Sequence, residues 1–188
     1  MNKKFDVIIS GCGPSGSLLG YLLAKNNINT LIIEKEVFPR YKTCAGGLQH
    51  RTLKLLPFDI RDVIEKALSG IYFSFSDKNI ILKKYESPII YTVKRSLFDN
   101  FLANKAKNNG CNIVFGEKVK NFFIDNNSVT VYTKLNQYKS KILVGADGAR
   151  GCVHKKIIRK SKIKRILGYE IEAGLINCVK TIQYSGKG

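Results

Sequence analysis

Residues 5–16, Phe5-Asp6-Val7-Ile8-Ile9-Ser10-Gly11-Cys12-Gly13-Pro14-Ser15-Gly16, decide the fold. The run Phe5–Ser10 is apolar and β-branched, as a parallel strand buried on both faces requires. Gly11, Gly13 and Gly16 follow in the G-x-G-x-x-G spacing that carries such a strand into a helix. Gly11 makes the tight turn. Gly13 removes a side chain where backbone would approach a pyrophosphate, and Gly16 lets the helix pack closely on the strand. The helix offers unpaired N–H groups and the positive end of its dipole to phosphates. Pro14 suits the first turn, where its missing N–H has no partner to lose.

Outward from this stretch, Leu18, Leu19, Leu22 and Leu23 recur at helical spacing and predict the face packed on the sheet. Asn26 and Asn27 stop the helix, and Asn29–Ile33 reads as a second parallel strand. Glu34 stands at its carboxyl end, 18 residues beyond Gly16, where a carboxylate can bind both hydroxyls of an adenosine ribose. An acid there disfavours a 2′-phosphate, so FAD or NAD is expected over NADP. The alternative for Glu34 is a solvated charge at a strand end.

Beyond Glu34 the pattern breaks into a long connection, Lys35 to about Leu48, containing Pro39-Arg40-Tyr41-Lys42-Thr43-Cys44-Ala45-Gly46-Gly47. Loops of that length are uncommon unless functional. Residues 49–69 predict a helix interrupted at Pro57. Ile71–Phe75, Ile80–Lys83 and Ile89–Val93 predict a small inserted antiparallel sheet. Arg95 opens a second helix, with Ser96 and Asp99 in capping-box spacing and Leu97, Phe98, Phe101 and Leu102 as its apolar face. Cys111–Phe115 predicts a strand, and Val119–Ile124 pairs with Val129–Lys134 as a β-meander. Lys141–Val144 is a buried strand delivering Gly145-Ala146-Asp147-Gly148. This order predicts an interrupted doubly wound α/β fold.

The formal charge of +18 admits nucleic-acid binding, attraction to an anionic membrane surface, or a lysine-rich proteome. Lysine outnumbers arginine 25 to 7, whereas sites selected for phosphate forks favour arginine, so genome composition takes the larger share. The run Lys155–Arg165 reads as a solvated helix end or as a patch facing phosphates or lipid headgroups. Cys12, Cys44, Cys111, Cys152 and Cys178 form no C-x-x-C pair, so neither a metal site nor a disulfide framework is expected. All but Cys44 read as small buried hydrophobes. His50 and His154 have no supporting constellation. The fingerprint begins too near Met1 for a cleavable signal, and no run of 18 apolar residues occurs. A cytoplasmic location is expected, with any membrane contact peripheral.

Three separated motifs, the glycine fingerprint, the Arg40…Cys44-Ala45-Gly46-Gly47 loop, and Arg95 ahead of Gly145-Ala146-Asp147-Gly148, resemble the FAD-dependent geranylgeranyl reductase family. That family shares the aromatic-hydroxylase-like flavoprotein fold, and the resemblance runs from residue 5 to about 172. It implies an FAD-binding Rossmann-like domain over 1–70 and 94–165 with a β-meander, and an incomplete β-sheet substrate domain over 71–93 and 166–188. It places Gly11 in the cofactor-binding loop, Gly13, Ser15 and Gly16 at the FAD pyrophosphate and Glu34 at the adenosine ribose. Arg40 lies near the phosphates or substrate, Cys44, Ala45, Gly46 and Gly47 form a loop beside the flavin, and Arg95 binds FAD from its helix start. Val119 meets the adenine through its backbone, and Asp147 and Gly148 hold the cofactor near the ribityl and pyrophosphate region. No catalytic residue is assigned, Cys44 being a weak candidate.

The implied reaction is hydride transfer from reduced flavin to an isoprenoid C=C of a lipid or prenyl substrate, with NAD(P)H or ferredoxin as electron donor. No nucleic-acid partner is expected. Two other functions fit the same residues: a flavin monooxygenase or halogenase, and a non-catalytic nucleotide-binding remnant with a basic surface. Relatives continue well past residue 188, so an amino-terminal fragment is expected.

Overall fold

A computed structural model describes residues 4–75, 78–157 and 168–170. The chain divides into two compact units: Met1–Lys42 with Arg95–Arg165, and Thr43–Lys94 with Ile166–Gly188. Residues 43–70 therefore group with the second unit.

The first unit is built on β1 (Lys4–Ser10), which leads through the glycine loop into α1 (Pro14–Lys25) and then β2 (Thr30–Ile33). Its other elements follow the insertion: α3 (Arg95–Asn108), β8 (Asn112–Val114), β9 (Asn121–Asp125), β10 (Ser128–Tyr132), β11 (Gln137–Gly145) and α4 (Cys152–Ile157). Six strands form one sheet in the order β8-β2-β1-β11-β10-β9. The first four are mutually parallel, and β10 and β9 return antiparallel as the expected meander. The α/β class with a parallel sheet is thus the observed one. Strand β11 serves both halves, pairing parallel with β1 and antiparallel with β10.

One face of the sheet carries an apolar core of Ile8, Leu31, Ile33, Val119, Phe122 and Val131, closed by Val153 of α4. Helices α1 and α3 pack on each other. The buried face of α1 differs from the leucine stripe expected. It consists of Gly16, Ser17, Gly20, Tyr21 and Ala24, while Leu22 is 41% exposed. Small residues prevail because the helix lies so close to the sheet: a Cβ on Gly20 would stand 2.6 Å from Ile32 Cδ1. On α3, Phe98 and Leu102 are buried as expected, but Leu97 faces outward.

The second unit contains β3 (Gly47–Gln49), α2 (His50–Leu55), a 3₁₀ turn (Arg61–Val63), β4 (Lys66–Leu68), β5 (Gly70–Phe75), β6 (Lys78–Lys84) and β7 (Ile90–Thr92). The helix expected over 49–69 shrinks to α2, because Pro57 lacks the N–H that would continue it. The inserted β pieces do not form one sheet. Strands β5 and β6 make a hairpin, whereas β7 lies between β3 and β4. Residues 168–170 carry no strand, and the rest of the substrate-domain segment expected over 166–188 lies outside the described residues, as do Cys178 and most of the basic run.

Candidate functional site

The loop between β1 and α1 is held from the strands on both sides. Gly11 N–H donates to Ile33 O on β2 (2.9 Å), and Ala146 N–H, just after β11, donates to Ser10 O (2.8 Å). Gly11 has φ +102°, and a Cβ there would lie 2.5 Å from Ala146 O. Gly16 is equally constrained: its Cβ would stand 2.0 Å from Gly11 O. These two glycines are demanded by the protein itself.

Gly13 is not. Its backbone is extended (φ −71°, ψ −176°), open to any residue, and an added Cβ would meet no atom within 4 Å. Among the described residues, no protein atom therefore fills the space beside Gly13 at the N-terminus of α1. Ser15, in the first turn, is exposed there, and Pro14 occupies a position without an N–H.

Glu34 is 5% exposed at the end of β2. Its Oε2 accepts the Cys12 N–H (2.7 Å) and its Oε1 accepts the Glu36 N–H (3.0 Å). The carboxylate thus fixes the middle of the glycine loop, and each oxygen retains a lone pair for a further donor. Ser17 Oγ caps the same loop by donating to Cys12 O (3.0 Å). Burial pushes the Cys12 thiol up to about 11, opposed by the Ser17 hydrogen bond, with charges on Glu34, Arg40 and Asp99 also felt there. Burial likewise raises Cys111 to about 12. Neither is a nucleophile near neutrality.

Arg40 and Arg95, 55 positions apart in sequence, meet on one carboxylate. Asp99, fully buried, accepts Arg95 Nε (2.8 Å) and Nη2 (2.9 Å) and Arg40 Nη2 (2.8 Å). The capping box expected between Ser96 and Asp99 is superseded, since both oxygens of Asp99 are engaged by arginine. Arg40 also lies over the Phe38 ring, 4.8 Å from its centroid. Its Nη1 is buried without a hydrogen-bond partner among the described residues. Two cations on one anion leave a net positive charge with a donor still unspent.

Asp147 turns back into its own loop. Its Oδ2 accepts Val153 N–H (3.0 Å) at the start of α4 and Ser10 Oγ–H (3.3 Å) at the end of β1. A Cβ on Gly151 would fall on this carboxylate. Gly148 takes φ +73° with open space beside it. Val119 is buried in the sheet core ahead of β9. Nearby, buried Glu117 gathers Thr133 Oγ1 (2.7 Å), Asn136 Nδ2 (2.7 Å) and Tyr138 OH (3.1 Å), which ties the meander together.

In the second unit, Gly46 takes φ +69° and presses on Val93, its absent Cβ falling on Val93 O. Ala45 and Gly47 are exposed on either side. Cys44 is exposed too, its N–H donating to Glu170 Oε2 (2.8 Å) and its Sγ accepting the Gly46 N–H (3.5 Å). His50 Nδ1 shares a hydrogen bond with Tyr91 OH (3.4 Å). Among the described residues no three His, Cys, Asp or Glu side chains gather as a metal ion would need.

The glycine loop, Glu34 and the β11 loop thus converge at the carboxyl ends of neighbouring parallel strands, the place where open α/β sheets bind nucleotides. Comparison with known families agrees: the sequence pattern of the FAD binding domain matches residues 4–167. The chain belongs to the FAD-binding domain family. An uncharacterized protein of Methanosarcina barkeri is 33% identical to this FAD-binding domain over 187 residues, covering 98% of the chain and 46% of the relative. Digeranylgeranylglycerophospholipid reductase of Methanocaldococcus jannaschii is 29% identical over 172 residues, 87% of the chain and 43% of the enzyme. The crystal structure of a geranylgeranyl bacteriochlorophyll reductase-like protein from Thermoplasma acidophilum shares the fold, with TM-score 0.69 and 23% identity over 79% of the chain and 40% of that protein. The chain spans less than half the length of these relatives.

The residues present fit FAD. Gly13 leaves an open cradle, Glu34 keeps acceptor capacity for hydroxyls, and Arg40 has an unspent buried donor. Asp99 was missed as a member of this region. Its signal was available in part, because Arg95 and Asp99 lie at i and i+4 on one helix.

Proposed function

We propose that this chain is the FAD-binding part of a flavin-dependent reductase acting on isoprenoid double bonds of a prenyl lipid. The observation that carries the FAD half is the open cradle at Gly13, framed by two glycines the fold itself requires. The substrate half is supported by the likeness to a digeranylgeranylglycerophospholipid reductase.

In this reading the first turn of α1 offers its free N–H groups to the pyrophosphate. Glu34 holds the ribose hydroxyls while keeping the loop fixed through Cys12. Arg40 and Arg95 supply positive charge, and Asp147 orders the loop after β11 instead of touching phosphate, which a carboxylate would repel. Bound FAD would supply hydride chemistry that no side chain here can supply. Cys44 has no assigned step. Electrons come from NAD(P)H or ferredoxin, and the enzyme works in the cytoplasm at the membrane surface where its substrate lies. Among the described residues no helix is long and apolar enough to cross a membrane.

The test is direct. Protein purified and incubated with FAD should retain a visible flavin absorption band after desalting. With a chemical reductant and a digeranylgeranyl lipid, a preparation that includes the remainder of the protein should add two hydrogens per reduced bond, read by mass spectrometry. A protein that cannot be loaded with FAD refutes the reading. Oxygen-dependent NADPH consumption with an aromatic substrate would mark a monooxygenase or halogenase instead.

A further inference from the structure

We propose that Asp99 is a positioning residue for the cofactor site: it locks Arg40 and Arg95 into one rigid arrangement in which the Arg40 Nη1 donor is turned toward an anionic oxygen of the ligand. The inference rests on the FAD reading above.

Asp99 is 0% exposed, and the Arg40 and Arg95 side chains are 12% and 17% exposed. Two flexible guanidinium groups are thereby reduced to one arrangement. Arg95 is held bidentately at 2.8 and 2.9 Å, and Arg40 by one nitrogen at 2.8 Å with Phe38 stacked on its face. That leaves Arg40 Nη1 buried and unpaired among the described residues. A buried guanidinium nitrogen without an acceptor is costly, and an unmet donor beside a glycine phosphate loop calls for an acceptor from outside the protein. The cluster lies close enough to the loop for the charges of both Arg40 and Asp99 to reach Cys12.

The role makes an unusual sign prediction. Asp99 is itself an anion, so charge alone says that neutralising it should tighten binding of an anionic pyrophosphate and make that binding more sensitive to salt, which screens charge. Positioning says the opposite, because a guanidinium released from its partner must be ordered again when ligand binds.

The experiment measures FAD affinity of the 188-residue chain by flavin fluorescence quenching at two ionic strengths. Variants are Asp99→Asn, Arg40→Lys and the double substitution, with apo-protein melting recorded alongside. Positioning predicts roughly tenfold or weaker binding for Asp99→Asn despite the added positive charge. Arg40→Lys keeps the charge but cannot engage Asp99 and ligand through two fixed nitrogens, so it should lose a similar factor. The double variant should be no worse than the weaker single one.

Unchanged or tighter binding by either variant overturns the proposal, as does a fully additive double variant. If Asp99→Asn does not fold, Arg40→Lys decides alone, since it leaves the Asp99–Arg95 pair intact. A wild-type chain that folds and binds no FAD overturns the FAD reading as well, whereas binding indifferent to both substitutions overturns this inference only.

Discussion

The contrast between Gly13 and Gly16 gives the sharpest test of the site. Both belong to the fingerprint, yet the fold needs only one of them. At Gly16 a Cβ would stand 2.0 Å from Gly11 O and 3.3 Å from Ala146 Cβ, so Gly16→Ala must push α1 away from the strand ends. Overpacking of this kind costs about 1–3 kcal/mol, and more where backbone is the obstacle. At Gly13 a Cβ meets nothing within 4 Å, and its φ of −71° and ψ of −176° suit alanine. Gly13 is the N-cap of α1, so Gly13→Ala should cost at most about 1 kcal/mol. The same methyl group would stand where a pyrophosphate approaches, and affinity should fall by about tenfold or more if a close backbone contact is lost. Gly13→Glu, adding bulk and negative charge, should abolish binding. Thermal melting of the apo-protein and FAD titration together read the two effects. Gly16→Ala should lower Tm by several degrees, roughly 2–8 °C per kcal/mol for domains of this size range, while Gly13→Ala leaves it nearly unchanged. A Gly13→Ala protein that binds FAD normally, or melts as early as Gly16→Ala, would refute the reasoning.

Other consequences are equally measurable. Asp147→Ala should destabilise the apo-protein by about 1–3 kcal/mol in denaturant unfolding, because it leaves Val153 N–H and Ser10 Oγ without their acceptor. Iodoacetamide should label exposed Cys44 in the native state and reach buried Cys12 and Cys111 only on unfolding, followed by peptide mapping. Stability should fall as pH rises above 9: the thiols of Cys12 and Cys111 hold their protons to about 11 and 12 when folded but release them near 9 when unfolded. Urea midpoints against pH read this decline, and Cys111→Ala should make it shallower. Lys141, raised by its hydrogen bond to Asp6, acts in the same sense, its contribution being present below 10.5 and lost through its higher folded value. Asp6 is lowered by Lys141, so the pair's acid-side contribution disappears as pH falls below 3.8 through the depressed value. The pair is exposed and should vanish in high salt.

Much of this arrangement was legible in the sequence where the physics is local. The strand, the glycine spacing and the acid at Glu34 are properties of one short stretch, and the meander follows from alternation across an Asp-Asn-Asn turn. The face of α1 was misread because the four leucines suggested burial by size, whereas the short helix-to-sheet distance selects Gly16, Gly20 and Ala24. The pairing of β7 with β3 and β4 was hidden, since strands of three residues carry almost no periodicity. Asp99 illustrates the same limit at the site. Its link to Arg95 is a helical neighbour, but its link to Arg40 spans 59 positions and exists only after the sheet has formed. Glu34 combined both cases: the spacing marked its position, and only the three-dimensional structure reveals that it grips the Cys12 amide.

The pairing of β1 with β11 has a consequence for how the molecule is made. Asp6 on one strand and Lys141 on the other are 135 positions apart, so the fingerprint strand acquires its second neighbour only after Gln137–Gly145 have been made. Until then Ile8 and Ile9 sit on an apolar edge open to any other strand, and contacts of such long range form slowly. During synthesis the nucleotide loop therefore cannot be completed by its own local sequence, because Ala146 must arrive to close it. Lesions in β11 should accordingly show themselves as aggregation of newly made protein, well away from any effect on a folded site.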